Sequence, residues 1–219
     1  MNRRNIVLLT GLGAAALFAG GAYLYTQHTA PTPATPEMAA MPEGLVREHA
    51  PIMGPQNAKV TIVEFFDPAC EACRGFYPYV KQIMATHPND VRLMLRYAAL
   101  HQGSDQAVGI LEAARKQDKF QPVLEALLEK QAEWASHDGP NLDRAWAIAG
   151  ETGLDLTRAR QDAAAPEVAT LLAADMADVK TVGITGTPSF FVNGKPLTVF
   201  GPEPLRLLVQ NEVEAAKLP

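Results

Sequence analysis

Only two cysteines occur in this 219-residue chain, Cys70 and Cys73, and they stand three residues apart. The run before them, Val60-Thr-Ile-Val-Glu-Phe-Phe66, is apolar and β-branched, which is the pattern of a buried strand. Asp67-Pro68 stops that run. After Cys70 the apolar residues Phe76, Val80, Ile83 and Met84 recur at helical spacing. Cys70 is therefore expected where a strand ends and a helix begins. Unpaired amides and the positive end of the helix dipole favour an anion there, hence thiolate over thiol. A second thiol one helical turn on can resolve a mixed disulfide formed by the first. The spacing reads as a redox-active pair.

Other uses of two thiols fit less well. Structural zinc needs four ligands. There is no second cysteine pair, and no histidine lies at ligand spacing near Cys70, so no metal site is expected. Copper(I) can be held by two thiolates, which keeps a copper-handling protein as a competing reading. A purely structural disulfide across a two-residue gap would stabilise little. The expected working group is the Cys70–Cys73 disulfide itself, with no other cofactor. Formal net charge is −5. The first 30 residues carry only Arg3 and Arg4, so the rest of the chain is more acidic still. An acidic body argues against nucleic acid as a partner.

The elements that would position the pair follow in order. Residues 1–25 open with Arg3 and Arg4 and continue as an uncharged stretch of about the length that spans a bilayer core. They are expected to be a signal anchor or a signal peptide, and either one exports the remainder. Residues 26–44, rich in Pro, Thr and Ala, read as a semi-extended linker. The folded domain is expected over 45–219. A short edge strand falls within 45–55, the central strand over 59–66 and the cysteine-bearing helix over 70–87, kinked by Pro78. The next strand is expected over 91–97. Residues 102–180 are nearly all helical in pattern, with Asn141 as an N-cap and Trp134 and Trp146 as packing residues. His101 with Asp105, and His137 with Asp138, read as solvated loop residues, because no nucleophile elbow lies beside them.

A second informative stretch is Gly186-Thr-Pro-Ser-Phe-Phe-Val-Asn-Gly194. It predicts a strand over 190–192 and a tight hairpin at Asn193-Gly194. Thr187-Pro188 stands immediately before a strand that ought to be central, where proline is poorly tolerated, and a cis bond is the expected local geometry. A final amphipathic helix starts near Gly201-Pro-Glu-Pro, with Leu205, Leu208, Val209 and Val213 on one face.

Taken together, these pieces resemble the DsbA-like thiol:disulfide oxidoreductases of the thioredoxin superfamily. The carriers are a strand with an internal acid, Glu64, then Phe65-Phe66-Asp67, C-x-x-C, a long helical block and the Gly186–Gly194 stretch. The likeness covers about residues 50–216. It implies an α/β thioredoxin-like fold with an inserted helical subdomain at about 102–180. It implies Cys70 as the exposed nucleophile and Cys73 as the buried resolving thiol. Thr187 and the cis Pro188 would lie against the Cys70 sulfur and bind substrate. Glu64 would be a buried acid that moves protons at Cys73, and a carboxyl facing an apolar core would indeed titrate late; strand alternation also leaves open that it faces solvent.

One departure concerns the dipeptide between the cysteines, Glu71-Ala72, where the best-known oxidase has Pro-His. Glutamate should raise the Cys70 pKa relative to a histidine-containing motif and make the disulfide less oxidising. The implied function is disulfide exchange on exported proteins with cysteines, on the periplasmic side of a bacterial cell envelope. Oxidation is the expected direction, with a DsbB-like membrane partner. The alternatives are a reductase or isomerase fed by a DsbD-like membrane reductant, and a copper-handling or chaperone-like binding protein of the same fold.

Overall fold

The computed structural model describes residues 42–218. The expected anchor at 1–25 and nearly all of the expected linker lie outside the described residues. No described helix is long and apolar enough to cross a membrane.

The centre of the fold is β2 (Val60–Phe66), buried along its whole length except for half-buried Thr61. A strand covered on both faces needs a near-continuous apolar run rather than an alternating one, which explains its composition. It pairs in parallel with β3 (Val91–Tyr97). β1 (Ile52–Met53) adds to β3 antiparallel. On the other side β6 (Ser189–Val192) pairs antiparallel with β2, and β7 (Lys195–Pro196) with β6, giving the order β1-β3-β2-β6-β7. The β6–β7 turn holds Asn193 at φ 47° and Gly194 at φ 85°, the left-handed pair that a tight hairpin requires. The Asn193 side-chain oxygen also accepts the Thr61 amide at 2.9 Å and pins the turn to the start of β2.

Alternate residues of β2 serve different cores. Val60, Ile62 and Phe66 join the larger cluster, which holds Cys73, Phe76, Val80 and Ile83 of α1 (Glu71–Thr86). The same cluster takes Leu205, Val209 and Val213 from the helix after β7 (Pro202–Ala215). Val63 and Phe65 join a smaller cluster with Met94, Ala98, Phe191 and Leu45. The helix α1 continues through Pro78, which faces outward.

Beyond the larger core lies the helical block, made of α2 (Ser104–Arg115), α3 (Phe120–Glu129), α4 (Gln131–Trp134), α5 (Leu142–Glu151), α6 (Leu156–Ala163) and α7 (Pro166–Val182). With these labels the last helix is α8. Asn141 does cap α5, its side-chain oxygen accepting the Arg144 amide at 3.0 Å. Trp134 is fully buried and donates its indole N–H to the Leu127 carbonyl.

Two features depart from the sequence reading. A two-stranded hairpin, β4 (Ala135–Ser136) with β5 (Gly139–Pro140), interrupts the helices. More consequentially, α7 is not purely part of the insertion. Its C-terminal half returns to the sheet, where Val179, Met176 and Val182 pack in the smaller core.

That return is held by charge. Arg96 of β3 is fully buried and donates to Asp175 at 2.8 Å and to Asp178 at 2.6 Å. It also donates to the Gly44 and Leu45 carbonyls. Arg47 reaches Asp178 through two 2.7 Å bonds, and His49 meets Asp175 at 2.6 Å. Gly44, at φ 83°, is required here, because a Cβ would meet an Asp178 carboxyl oxygen at 2.5 Å. The guanidinium thus fastens the chain entering the domain to α7 and β3.

Candidate redox site

Cys70 is the N-cap of α1, in extended conformation (φ −76°, ψ 120°). Its amide donates to the Asp67 carbonyl at 3.1 Å, closing the turn that joins β2 to the helix. Its thiol donates to the Thr187 carbonyl at 3.3 Å. The Thr187–Pro188 peptide bond is cis. Cys73 accepts a bond from the Asp67 amide at 3.5 Å. The contrast in exposure is smaller than expected: Cys70 is 6% exposed and Cys73 0%.

Their electrostatics diverge strongly. Cys70 is drawn down to about 5. The largest cause is hydrogen bonding from the Cys73 thiol, which burial opposes, with Thr187 and the Cys73 and Ala72 amides adding to the lowering. The amide contributions are those of an uncapped helix start. Cys73 moves far in the opposite direction, first through burial, then through sharing its proton with Cys70 and through the Glu64 charge. One sulfur is an anion at neutral pH and the other keeps its proton.

Glu64 is 1% exposed and points into the larger core, opposite Leu95 of β3 and Phe190 of β6. Neither carboxyl oxygen has a hydrogen-bond partner among the described residues. Burial, and secondarily the Cys70 thiolate, push it up to about 8. At neutral pH it is a protonated acid within electrostatic reach of Cys73, able to give or take one proton. The structure thus brings Glu64, Cys70, Cys73, Thr187 and Pro188 together. Glu71 and Ala72 face outward, and the Glu71 carboxylate lies 3.8 Å from His137. Arg74 is exposed, and among the described residues it forms no ion pair with Glu71.

Three residues of the site escaped the sequence reading. Asp67 is fully buried. One of its oxygens accepts the Ala69 amide at 2.8 Å and the Ser104 hydroxyl. The other accepts the Leu100 and His101 amides at 2.7 and 3.0 Å and meets His101 Nδ1 at 2.8 Å. His101 is therefore no free loop residue, and its partner is Asp67 rather than Asp105. Gln131 of α4 donates to the Pro68 carbonyl at 2.8 Å and to the Cys70 carbonyl at 3.1 Å. An Asp-Pro pair reads as a strand stop, and nothing in the spacing links it to residues 34 and 64 positions later. Among the described residues, no group of three or more His, Cys, Asp or Glu side chains is arranged to hold a metal ion.

Comparison with known proteins agrees with this geometry. A family model described as Thioredoxin matches residues 47–210. A thioredoxin-like oxidoreductase from Silicibacter pomeroyi DSS-3 is 34% identical, with a TM-score of 0.67 over 81% of this chain and 98% of that one. BdbD from Bacillus subtilis shares the fold at 23% identity, with a TM-score of 0.66 over 75% of this chain and 93% of that one. The Na(+)/H(+) antiporter NhaA of Herminiimonas arsenicoxydans is 31% identical over 148 residues, 67% of this chain. The chain spans only 22% of the length of that relative. Alpha-DsbA1 of Wolbachia pipientis shares the fold at 16% identity, with a TM-score of 0.68 over 78% of this chain and 94% of that one. With the family match covering most of the chain, and with a cysteine pair at the end of β2 facing a cis-proline turn, the protein belongs to the thioredoxin family.

Proposed function

We propose that the protein is a thiol–disulfide oxidoreductase acting on exported proteins at the periplasmic side of a bacterial envelope, and that it works as an oxidase. The observation that carries this reading is the split between the two sulfurs, with Cys70 drawn down to about 5 and Cys73 pushed far up. A stabilised Cys70 thiolate favours the reduced form, which makes the disulfide an electron acceptor.

In the oxidising half-reaction a substrate thiolate attacks the Cys70 sulfur and breaks the Cys70–Cys73 bond. Cys73 leaves as a thiolate and takes a proton, for which Glu64 is the proposed donor. The second substrate thiolate then attacks the substrate sulfur of the mixed disulfide and releases Cys70 as a thiolate. The substrate gains one disulfide and the protein gains two electrons, which a membrane redox partner would remove. The disulfide is the whole redox equipment, with no further cofactor. Beside Pro188 lies an open hollow of about 390 Å³, lined by Ile184, Phe190, Leu197 and Phe200. Exposed Phe200 packs against Phe76 of α1, with ring centroids 4.6 Å apart and the planes tilted by 41°. An extended apolar segment of a substrate fits that chemistry.

The test is equilibration of the full-length chain with glutathione buffers, together with disulfide transfer to a reduced, denatured test protein. A Cys70 pKa of about 5 lies between the values of about 3.5 and 7 that accompany potentials near −120 and −270 mV. A potential between those limits is expected, with transfer that is lost in Cys70→Ser. A potential at or below about −270 mV would replace the oxidase with a reductase fed from a membrane donor.

A further inference from the structure

The motif has no cation between its cysteines. Its dipeptide is Glu71-Ala72, and two other acids lie close by, Asp67 beneath the turn and Glu64 in the core. Three carboxyl groups around a nucleophilic sulfur oppose a thiolate. Glu64 escapes the difficulty by keeping its proton, whereas the two Asp67 oxygens are held by Ala69, Leu100, His101 and Ser104.

We propose that His101, clamped on Asp67, is the positioning residue that sustains the Cys70 thiolate, its imidazolium supplying from the β3–α2 loop the cation that C-E-A-C lacks. The geometry is a short chain of contacts. His101 Nδ1 holds one Asp67 oxygen at 2.8 Å, and its own amide holds the same oxygen at 3.0 Å. The Asp67 carbonyl takes the Cys70 amide and its amide reaches the Cys73 sulfur at 3.5 Å. The ring stays 44% exposed, so the charged form remains solvated. Partial burial works against that charge, but the bond to Asp67 and the negative charges of Asp67, Cys70 and Glu71 outweigh it and raise the imidazole above its ordinary value. Coulomb interaction is mutual. If the thiolate favours the imidazolium, the imidazolium favours the thiolate by the same amount. The largest influences on Cys70 are the Cys73 thiol, burial, Thr187 and the Cys73 and Ala72 amides. The titratable groups around it are Glu64 of β2, Asp67, Glu71 and Cys73 of the turn and α1, and His101, of which Glu64 and His101 respond to the Cys70 charge. His137 reaches only Glu71, at 3.8 Å and well exposed.

This inference rests on Cys70 being the nucleophilic thiolate, and the experiment separates the two. Alkylation rates of reduced Cys70 would be measured against pH in the full-length chain and in His101→Asn, which can keep a donor to Asp67 but not a charge. Glutathione equilibrium would be followed over the same range. The Cys70 pKa is expected to rise by about one unit in the variant, roughly a tenfold loss of oxidising strength or about 30 mV. The wild-type equilibrium should weaken as pH rises through an inflection above about 6.5, and His101→Asn should lack that inflection. An unchanged pKa in a natively folded His101→Asn overturns the proposal and leaves the thiolate reading intact. A wild-type Cys70 titrating near 8.5 sinks the thiolate reading itself. Should the variant fail to fold, the profile of Glu64→Gln decides, because Glu64 also titrates in this range, at about 8: no inflection in Glu64→Gln, no role for His101.

Discussion

Glu64 and Arg96 sit on adjacent central strands, one residue out of register, and both are buried almost completely. One-residue offset puts them on opposite faces of the sheet, since side chains alternate. Their fates could hardly differ more. Arg96 has two carboxylates and two backbone carbonyls around its guanidinium, and its plane lies over Phe65. Glu64 has no hydrogen-bond partner among the described residues. A buried charge that is fully paired can stay charged and serve as a fastening. A buried acid without a partner keeps its proton and becomes a carrier of it. One face of the sheet is therefore built for permanence, and the other for a group that changes state beside a reactive sulfur.

Three experiments test whether the two faces differ in this way. The largest effect is expected from Arg96→Met, which leaves Asp175 and Asp178 buried without their shared cation. Denaturant unfolding should show a loss of about 3–5 kcal/mol, while the Cys70 pKa measured on the folded fraction stays near 5. A loss under 1 kcal/mol would mean that Arg47 and His49 neutralise those acids unaided.

The second change acts on the other face and has the opposite sign. In the reduced protein Glu64 titrates at about 8, against about 4.3 in an unfolded chain. Between those values the folded state binds the extra proton, so its stability falls as pH rises. Stability of Glu64→Gln relative to wild type should therefore grow by about 3–4 kcal/mol from pH 4 to pH 7. Exchange should slow in the same variant, because Cys73 loses its proton donor. Parallel stability curves for the two proteins would show Glu64 to be an ordinary carboxylate.

The smallest effect concerns the brace between the helical block and the motif. Gln131→Leu removes the only side chain that bonds to both the Pro68 and Cys70 carbonyls among the described residues. A cost of about 1–2 kcal/mol is expected, with faster hydrogen exchange at the first amides of α1. Unchanged exchange there would reduce Gln131 to a packing residue.

The order of elements was legible in the sequence. The buried strand before the cysteines, the helix after them and the Asn193-Gly194 hairpin all follow from local pattern, and each lies within a residue or two of its expected bounds. Local pattern also picked out Cys70, Cys73 and Pro188 as the residues to watch, and the family resemblance added Glu64. Less legible were the partners of buried charges. Arg96 falls in a run, Val91-Arg-Leu-Met-Leu-Arg-Tyr97, whose weak alternation hides which arginine turns inward, and Arg92 in the same run reaches Thr61 and the Gln56 carbonyl at the surface instead. Asp175 and Asp178 look like the polar face of an ordinary helix. His101 looks like a loop residue until Asp67 is folded against it.

By itself, then, the sequence determined the kind of chemistry: two thiols one helical turn apart at a strand–helix junction, because hydrophobic period, turn residues and helix start are all local in the chain. The tertiary structure decided how that chemistry is tuned. A pKa depends on burial and on the charges and hydrogen bonds within a few ångströms, and for this cysteine pair those come from Glu64, the Asp67 amide and Thr187 as well as from the two sulfurs themselves, positions that span more than a hundred residues of chain. Only packing brings them to one place.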